Sequence, residues 1–406
     1  MQLRAEITES MQKNKSDRGV VLFTVLAILG LSLFLQFAFS LKQAVLFLTG
    51  VGLGISLLHA AFGFSSVWRN FIRKREGVGI RAQLLLFMLA SLLFFPILGQ
   101  FFPEISVAAA LGPVGISVMM GAFLFGIGME LGNGCGSGTL WTVGGGHVNM
   151  LVTLAFFIVG SVIGTAHLRW WLELPSLGKI SLIDSFGWQP ALLLQLGLLL
   201  ALYLFVHFLE KRRHGWVTPV NSRKEKGDFL NRLIFGPWPL IWGVAGLLFF
   251  SLVTLLVAGH PWSITFAFGL WGVKIWTALG GDISTLSYWS SGYPARALAS
   301  SVLADVTSVM NFGIILGAML AAGLAGSFAP AKKIQANMII SAVIGGLLLG
   351  YGARLAFGCN IGGLYSGIAS GSLHGWLWLV AGFTGTIAGV YIRSLTGIDR
   401  PLRTQT

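Results

Sequence analysis

Of the 406 residues in the chain, two are cysteines, Cys135 and Cys359, and both stand in glycine-rich, apolar surroundings. Two thiols are too few for a disulfide framework. A free cysteine is commonly a small core hydrophobe. Its reactive form, the thiolate, needs a nearby base or cation. The flanking residues point to a further use. Gly134 precedes Cys135 and Gly136 follows it; Gly358 precedes Cys359 and Asn360 follows it. Small neighbours open a thiol to a ligand, and in an apolar site the thiol stays protonated as a weak donor. A disulfide between the two stays open here, because it depends on a distance.

The cysteines also occupy equivalent positions. Residues 121–142 read GAFLFGIGMELGNGCGSGTLWT, and residues 345–366 read GGLLLGYGARLAFGCNIGGLYS. A shift of 224 without a gap pairs Gly121 with Gly345, Gly128 with Gly352, Cys135 with Cys359 and Trp141 with Tyr365. It also pairs Glu130 with Arg354, each five residues ahead of its cysteine. Ionisable residues at membrane depth are costly and face the bundle interior or a cavity. Two readings stand: Glu130 and Arg354 form a pair, or the Arg354 guanidinium attracts an anion through its planar fork of donors. Lys274 and Asp282 read as an interface pair or, alternatively, as a vestibule feature. His147 and His374 follow the two cysteines as interfacial or capping residues, and His59 reads as a core histidine. No carboxylate or thiol lies at a metal-ligand spacing from these histidines, so a metal site is not expected. The chain has no Walker A sequence and no usable Ser–His–Asp set, and nothing calls for a cofactor.

The elements that must hold these residues follow from composition. Hydrophobic residues make up 55% of the chain and charged residues 10%, against about 25% charged in a soluble domain. That excludes a soluble enzyme, a disordered chain and a coiled coil. Ten stretches have the roughly 20 apolar residues that a membrane helix needs: 20–39, 43–66, 82–102, 105–129, 148–168, 189–209, 236–259, 306–328, 334–353 and 375–392. The first lacks a cleavage site and reads as an anchor. The net charge of +13 is explained by loop clusters rather than by nucleic-acid binding. Arg4, Lys13, Lys15 and Arg18, the cluster Arg69–Arg81, the cluster Lys211–Arg232, Lys332 with Lys333, and Arg393, Arg400 and Arg403 all fall on one side when ten spans are threaded, 21 of 27 basic residues. The positive-inside rule makes that side, and both termini, cytoplasmic. These clusters read as solvated loop charge, and the Trp-rich stretches 168–171 and 376–378 as interfacial belts. Residues 260–297 pass through Gly280-Gly281-Asp282 and carry Lys274 and Arg296. They read as a re-entrant hairpin or half-helix, which survives only inside protein or along a wet cavity.

With this threading the two copies of the repeat run in opposite directions, a recurring plan in transporters. The expected fold is an all-α polytopic bundle with two inverted repeats. An N-terminal tail and extra span occupy 1–42, the first repeat 43–188, a linking span and basic loop 189–235, and the second repeat 236–406. GNGCGSG, with four glycines in seven residues, reads as non-helical, since each glycine costs a helix about 0.8–1 kcal/mol relative to alanine.

At GMELGNGCGSGTLW and GARLAFGCNIGGLYSG the chain resembles the YeeE/YedE family of sulfur-transport membrane proteins, with the surrounding spans similar over roughly residues 44–393. The resemblance implies an hourglass of helices in the bacterial inner membrane. It also implies short helices at the waist, thiosulfate as substrate, and cysteines that pass the ion along through S–H···S contacts. It implies a small cytosolic sulfurtransferase of the TusA-like type as partner. The family often has a third cysteine in a G-R-F-C type stretch. Here the region reads Ala60-Ala61-Phe62-Gly63-Phe64-Ser65-Ser66, and Gly63 stands where that cysteine would be. The symmetric region of the second half offers Ser284, Thr285 and Ser287.

The expected function is therefore uptake of thiosulfate or a similar small sulfur-containing anion, not an enzymatic reaction. The expected binding residues are Cys135, Cys359, Gly134, Gly136, Gly358, Asn360, Arg354 and Glu130. Two alternatives remain: a membrane sulfurtransferase that forms a cysteine persulfide, and a transporter for a different oxyanion. Two thiols without supporting carboxylates argue against a metal as cargo.

Overall fold

In a computed structural model the described residues are 16–221, 229–284, 286–328 and 336–395. Among them, ten helices are long and apolar enough to cross a membrane, and the chain is an all-α, multi-pass membrane protein. The elements are α1 (Arg18–Ala38), α2 (Leu41–His59), α3 (Ser65–Lys74), α4 (Val78–Leu98), α5 (Ile116–Leu131), α6 (Gly136–Gly144), α7 (Val148–Glu173), α8 (Trp188–His214), α9 (Leu240–Ala258), α10 (Thr265–Ala278), α11 (Val306–Leu324), α12 (Ala336–Leu355) and α13 (Leu373–Leu395). A short antiparallel ribbon pairs Pro113–Gly115 with Ser176–Lys179.

Local signals set the helix boundaries. The Asp17 carboxylate accepts a hydrogen bond from Val20 N–H and starts α1; the Ser40 hydroxyl does the same for α2 through Gln43 N–H. Such caps satisfy donors that the first turn leaves open. The apolar run 43–66 does not stay one helix. It ends at His59, Ala61 takes a left-handed conformation (φ 46°), and the amphipathic α3 begins at Ser65. Hydropathy alone cannot see that break. In the run 105–129 the helix begins only at Ile116, because Pro113 and its neighbours lie in the ribbon, where the absent proline N–H is tolerated.

Residues 260–297 do not span the bundle as one helix. Helix α10 has 14 residues, about 21 Å at 1.5 Å per residue, short of a roughly 30 Å hydrocarbon core. The chain then turns through Gly280–Ser284 to a short helix, Gly292–Ala299.

The centre is the crossing of α5 and α12. They run antiparallel and exchange two hydrogen bonds: Ser117 Oγ donates to Leu355 O at 2.9 Å, and Ser341 Oγ donates to Leu131 O at 2.7 Å. A shift of 224 converts one bond into the other. The outer contacts exchange in the same way. Helix α7 packs on α12, and α13 packs on α5. A Cβ on Gly164 would stand 2.8 Å from Arg354 Cβ, and one on Gly389 would stand 2.9 Å from Glu130 Cβ. Close approach at small residues is how helices associate where lipid competes for apolar surface. Helix α2 packs on α11, and α4 on α9. Helix α1 lies at the rim. Leu35 and Ile28 face inward, while Leu22, Phe23, Leu26 and Leu33 are exposed.

Helices α3, α4 and α8 bring basic residues to one end of the bundle. His214 Nε2 there donates to Lys74 O at 2.8 Å. Arg69, Arg81 and, on α13, Arg393 are not solvated loop charges. Arg81 is 3% exposed and bonds Glu210 at 2.7 Å, fastening α8 to α4. Arg69 bonds Glu130, and Arg393 donates to Glu130 O. A carboxylate or carbonyl facing each one from another helix draws it inward, and partners that far away in sequence leave no local trace. Arg4, Lys13, Lys15, Arg223, Lys224, Lys226, Lys332, Lys333, Arg400 and Arg403 lie outside the described residues.

Candidate functional site

The chain breaks after α5. Asn133 takes a left-handed conformation (φ 61°), and its counterpart ahead of Cys359, Phe357, does too (φ 58°). Each break turns the chain inward, and a short helix follows. Contrary to the expectation of a non-helical GNGCGSG segment, α6 begins at Gly136 with Cys135 as its N-cap. Cys359 caps a π-helix, Asn360–Tyr365, that runs on into Ser366–Ala369. Such widened turns are rare and occur often at functional sites. Only the Gly132–Cys135 stretch is irregular. The glycines of α6 cost helix propensity but admit close neighbours, and tertiary packing overrides propensity.

Both thiols accept from the helices they cap. Gly138 N–H donates to Cys135 Sγ at 3.4 Å, and Ile361 N–H donates to Cys359 Sγ at 3.4 Å. Ser137 Oγ lies 3.4 Å from Cys135 Sγ. Both cysteines are free thiols and buried. The two short helices meet: a Cβ on Gly136 would stand 2.9 Å from Cys359 Sγ and 3.5 Å from Ile264. Two N-terminal helix ends, each with free N–H groups and a partial positive charge, thus face one small volume at the middle of the fold.

Among the described residues, several buried polar atoms on or beside these short helices lack a hydrogen-bond partner: both side-chain atoms of Asn360, Trp141 Nε1 and Trp262 Nε1. Buried polar groups are nearly always satisfied, so open donors inside an apolar core call for an explanation. Trp262 O accepts from Ser366 Oγ at 2.8 Å, and Ile264 O accepts from Asn311 Nδ2 at 3.0 Å. The first ties the turn ahead of α10 to the Cys359 helix, and the second ties it to α11. Gly358 packs so tightly that a Cβ would stand 2.4 Å from Gly363 N. Gly358 O accepts from Trp378 Nε1 at 3.2 Å. Trp378 is therefore a core support of the loop, not part of an interfacial belt. Gly134 lies behind Cys135, where a Cβ would meet Met150.

Glu130 and Arg354 do not pair with each other. Each sits at its own end of the crossed helices. Glu130 is fully buried and is bound by Arg69 Nε at 2.5 Å. Arg354 Nη2 donates to Thr265 O at 2.7 Å and Nη1 to Tyr288 OH at 3.2 Å. Its Nε has no partner, and no carboxylate pairs with it among the described residues. The antiparallel crossing of α5 and α12 keeps the two apart, because equivalent positions fall at opposite ends. Lys274 and Asp282 are not a pair either. Lys274 Nζ donates to Leu298 O and Ser300 O. Asp282 is exposed and takes hydrogen bonds from the Ser284 hydroxyl and N–H, which hold its carboxyl below the usual range. His374 is buried, with Nδ1 near Ser372 Oγ and Gly112 N–H, so it is not interfacial. His147 precedes α7 as its N-cap residue. His59 is buried and stacks on Trp238 at 5.4 Å.

Ser284 and Ser287 are exposed, away from the thiols, and Thr285 lies outside the described residues. Besides Ser137, the Ser263 hydroxyl reaches the centre, 3.3 Å from where a Cβ on Gly362 would stand. Its signal is a shift near 200, which carries α2 onto α9 and Gly63 onto Ser263. The ungapped 224 shift hides it, because the chain between the two motifs differs in length. Gly63 has room: a Cβ there would meet only Ser66 Oγ, at 3.4 Å.

Comparison with known proteins agrees with this architecture. A family model described as sulphur transport matches residues 59–388. A probable transporter, YedE of Escherichia coli K12, is 29% identical over 149 residues, 37% of this chain and 36% of its own length. The match thus spans about a third of that relative. The thiosulfate transporter TsuA of Spirochaeta thermophila is 28% identical over 270 residues, 64% of this chain and 72% of its own. The thiosulfate transporter TsuA of Escherichia coli K12 is 23% identical over 297 residues, 71% and 76% of the two chains. With the family model covering most of its length and both cysteine motifs inside the match, the chain belongs to the sulphur-transport family.

Proposed function

We propose that the protein is a permease for thiosulfate or a similarly small sulfur-containing anion, which passes between its two halves at the point where the Cys135 and Cys359 helices meet. The observation that carries this reading is the contact of Gly136 with Cys359 Sγ, with both thiols capping helix N-termini. A dianion at that point gains from two helix ends without any fixed cation to trap it. The thiols are weak donors suited to a sulfane sulfur. The open donors of Asn360, Trp141 and Trp262 suit sulfonate oxygens. Weak, repeated contacts let an ion enter and leave. Arg354, buried without a carboxylate, draws anions toward one mouth. The two halves act as inverted repeats around the site, with the basic end in the cytoplasm.

The test is uptake of radiolabelled thiosulfate in bacterial cells that lack their own sulfate and thiosulfate importers. The unmutated protein should restore uptake. Cys135→Ala and Cys359→Ala should each abolish it at equal membrane abundance. Uptake unaffected by either substitution would sink the thiol-lined pathway. A different oxyanion as cargo has one observation behind it, the Ser263 hydroxyl and the absent third thiol. Excess unlabelled sulfate should compete strongly only if that second reading holds.

A further inference from the structure

Glu130 and Arg354 are equivalent by position, yet their surroundings differ in sign. At Arg354 the guanidinium faces a carbonyl and a tyrosine hydroxyl. At Glu130 two guanidiniums converge. Arg69 Nε binds the carboxylate, and Arg69 Nη2 donates to Ser65 Oγ at 3.1 Å and Asn133 Oδ1 at 3.3 Å. Arg393 Nη1 donates to Glu130 O at 2.6 Å and reaches Asn133 Oδ1 at 3.5 Å. Asn133 is exposed at the basic end and lies two residues from Cys135. Its Oδ1 accepts from a guanidinium of each of two helices, α3 and α13.

We propose that Arg69, Arg393 and Asn133 form a second anion site, a release site for the transported oxyanion, and that Glu130 is its resident competitor. The inference rests on the transport reading above. An incoming dianion takes the guanidinium donors from the Asn133 amide and shares Arg69 with Glu130. The buried carboxylate then takes Arg69 back and expels the anion. A cationic site without Glu130 would hold a dianion; like-charge repulsion inside low-dielectric surroundings keeps the dwell short. Among the described residues Arg354 has no such competitor, so the two mouths differ in affinity: one collects and the other discharges. Glu130 acts here as a positioning residue, because it sets what Arg69 offers to the anion.

The experiment is thiosulfate uptake into proteoliposomes containing the full chain, with initial rates measured over a range of concentrations. Glu130→Gln keeps the shape and removes the competing charge. Its apparent KM should fall by about tenfold and its maximal rate should fall with it. A purely structural role would lower the amount of folded protein and leave KM alone. Arg393→Lys keeps the charge but loses the fork, and should raise KM while Arg354→Lys slows entry at low concentration only. Unchanged KM in Glu130→Gln, in protein that transports normally, would overturn the release site. So would a maximal rate that falls only in proportion to folded protein. Absence of uptake by the unmutated protein would instead overturn the transport reading, and with it the basis of this proposal.

Discussion

Cys135 and Cys359 sit at the ends of short helices whose first N–H groups point at them. A thiol there is replaceable in shape by serine but not in softness. Cys359→Ser should therefore keep normal membrane abundance and lose most thiosulfate uptake; full uptake would show that a hydroxyl suffices. Gly136 gives a sharper test. Alanine there places a methyl 2.9 Å from Cys359 Sγ, which should close the passage and cut uptake by at least about tenfold, at a stability cost of about 1–3 kcal/mol from overpacking. Gly63 is the opposite case. Its surroundings accept a side chain, so Gly63→Cys should leave abundance unchanged, and uptake kinetics would show whether a third thiol adds to the route. The cysteines, their glycines and the Glu130–Arg354 equivalence were all readable in the sequence, because the repeat marks them. The Arg69 bond to Glu130 was not, because 61 residues separate the two and Arg69 sits in a basic run that looks solvated.

The elements obey the repeat through contacts that no single helix reveals. Ser117 and Ser341 make the same bond in reverse. Interhelical side-chain bonds in membranes contribute about 0.6 kcal/mol on average, so Ser117→Ala and Ser341→Ala should each lower stability by about that much, and the double variant by about the sum. Thermal unfolding in detergent measures it; a double variant far worse than the sum would show that the two bonds act as one. The helices were legible as ten apolar runs, since hydropathy measures partition into lipid. Where they stop was not. The left-handed turn at Ala61 and the helical start at Gly136 depend on neighbours brought by other parts of the chain.

At the scale of the molecule, α8 is tied to the bundle by the buried Arg81–Glu210 pair. Removing one partner strands a charge. Arg81→Met should cost about 3–5 kcal/mol, and Arg81→Met with Glu210→Met should recover most of it. Comparable unfolding of the single and double variants would refute this account of the pair. Orientation is tested by adding cysteines at Gly178 and Gly215, at opposite ends of α7–α8. A membrane-impermeant maleimide should label the first in intact cells and the second only after permeabilisation; the reverse pattern would invert the assignment of the basic end.

Composition, hydropathy and the repeated Gly-Cys segments were enough to establish a polytopic membrane protein with two matched centres. These properties are additive along the chain, so each segment carries its own share of the signal. Which charges pair, which hydroxyl reaches the centre, and that the two cysteine helices touch were decided only by the fold. Those facts belong to pairs of residues from different helices. The antiparallel crossing of α5 and α12 separates equivalent residues to opposite ends while it brings unlike segments together at the middle, and no property of one segment encodes that.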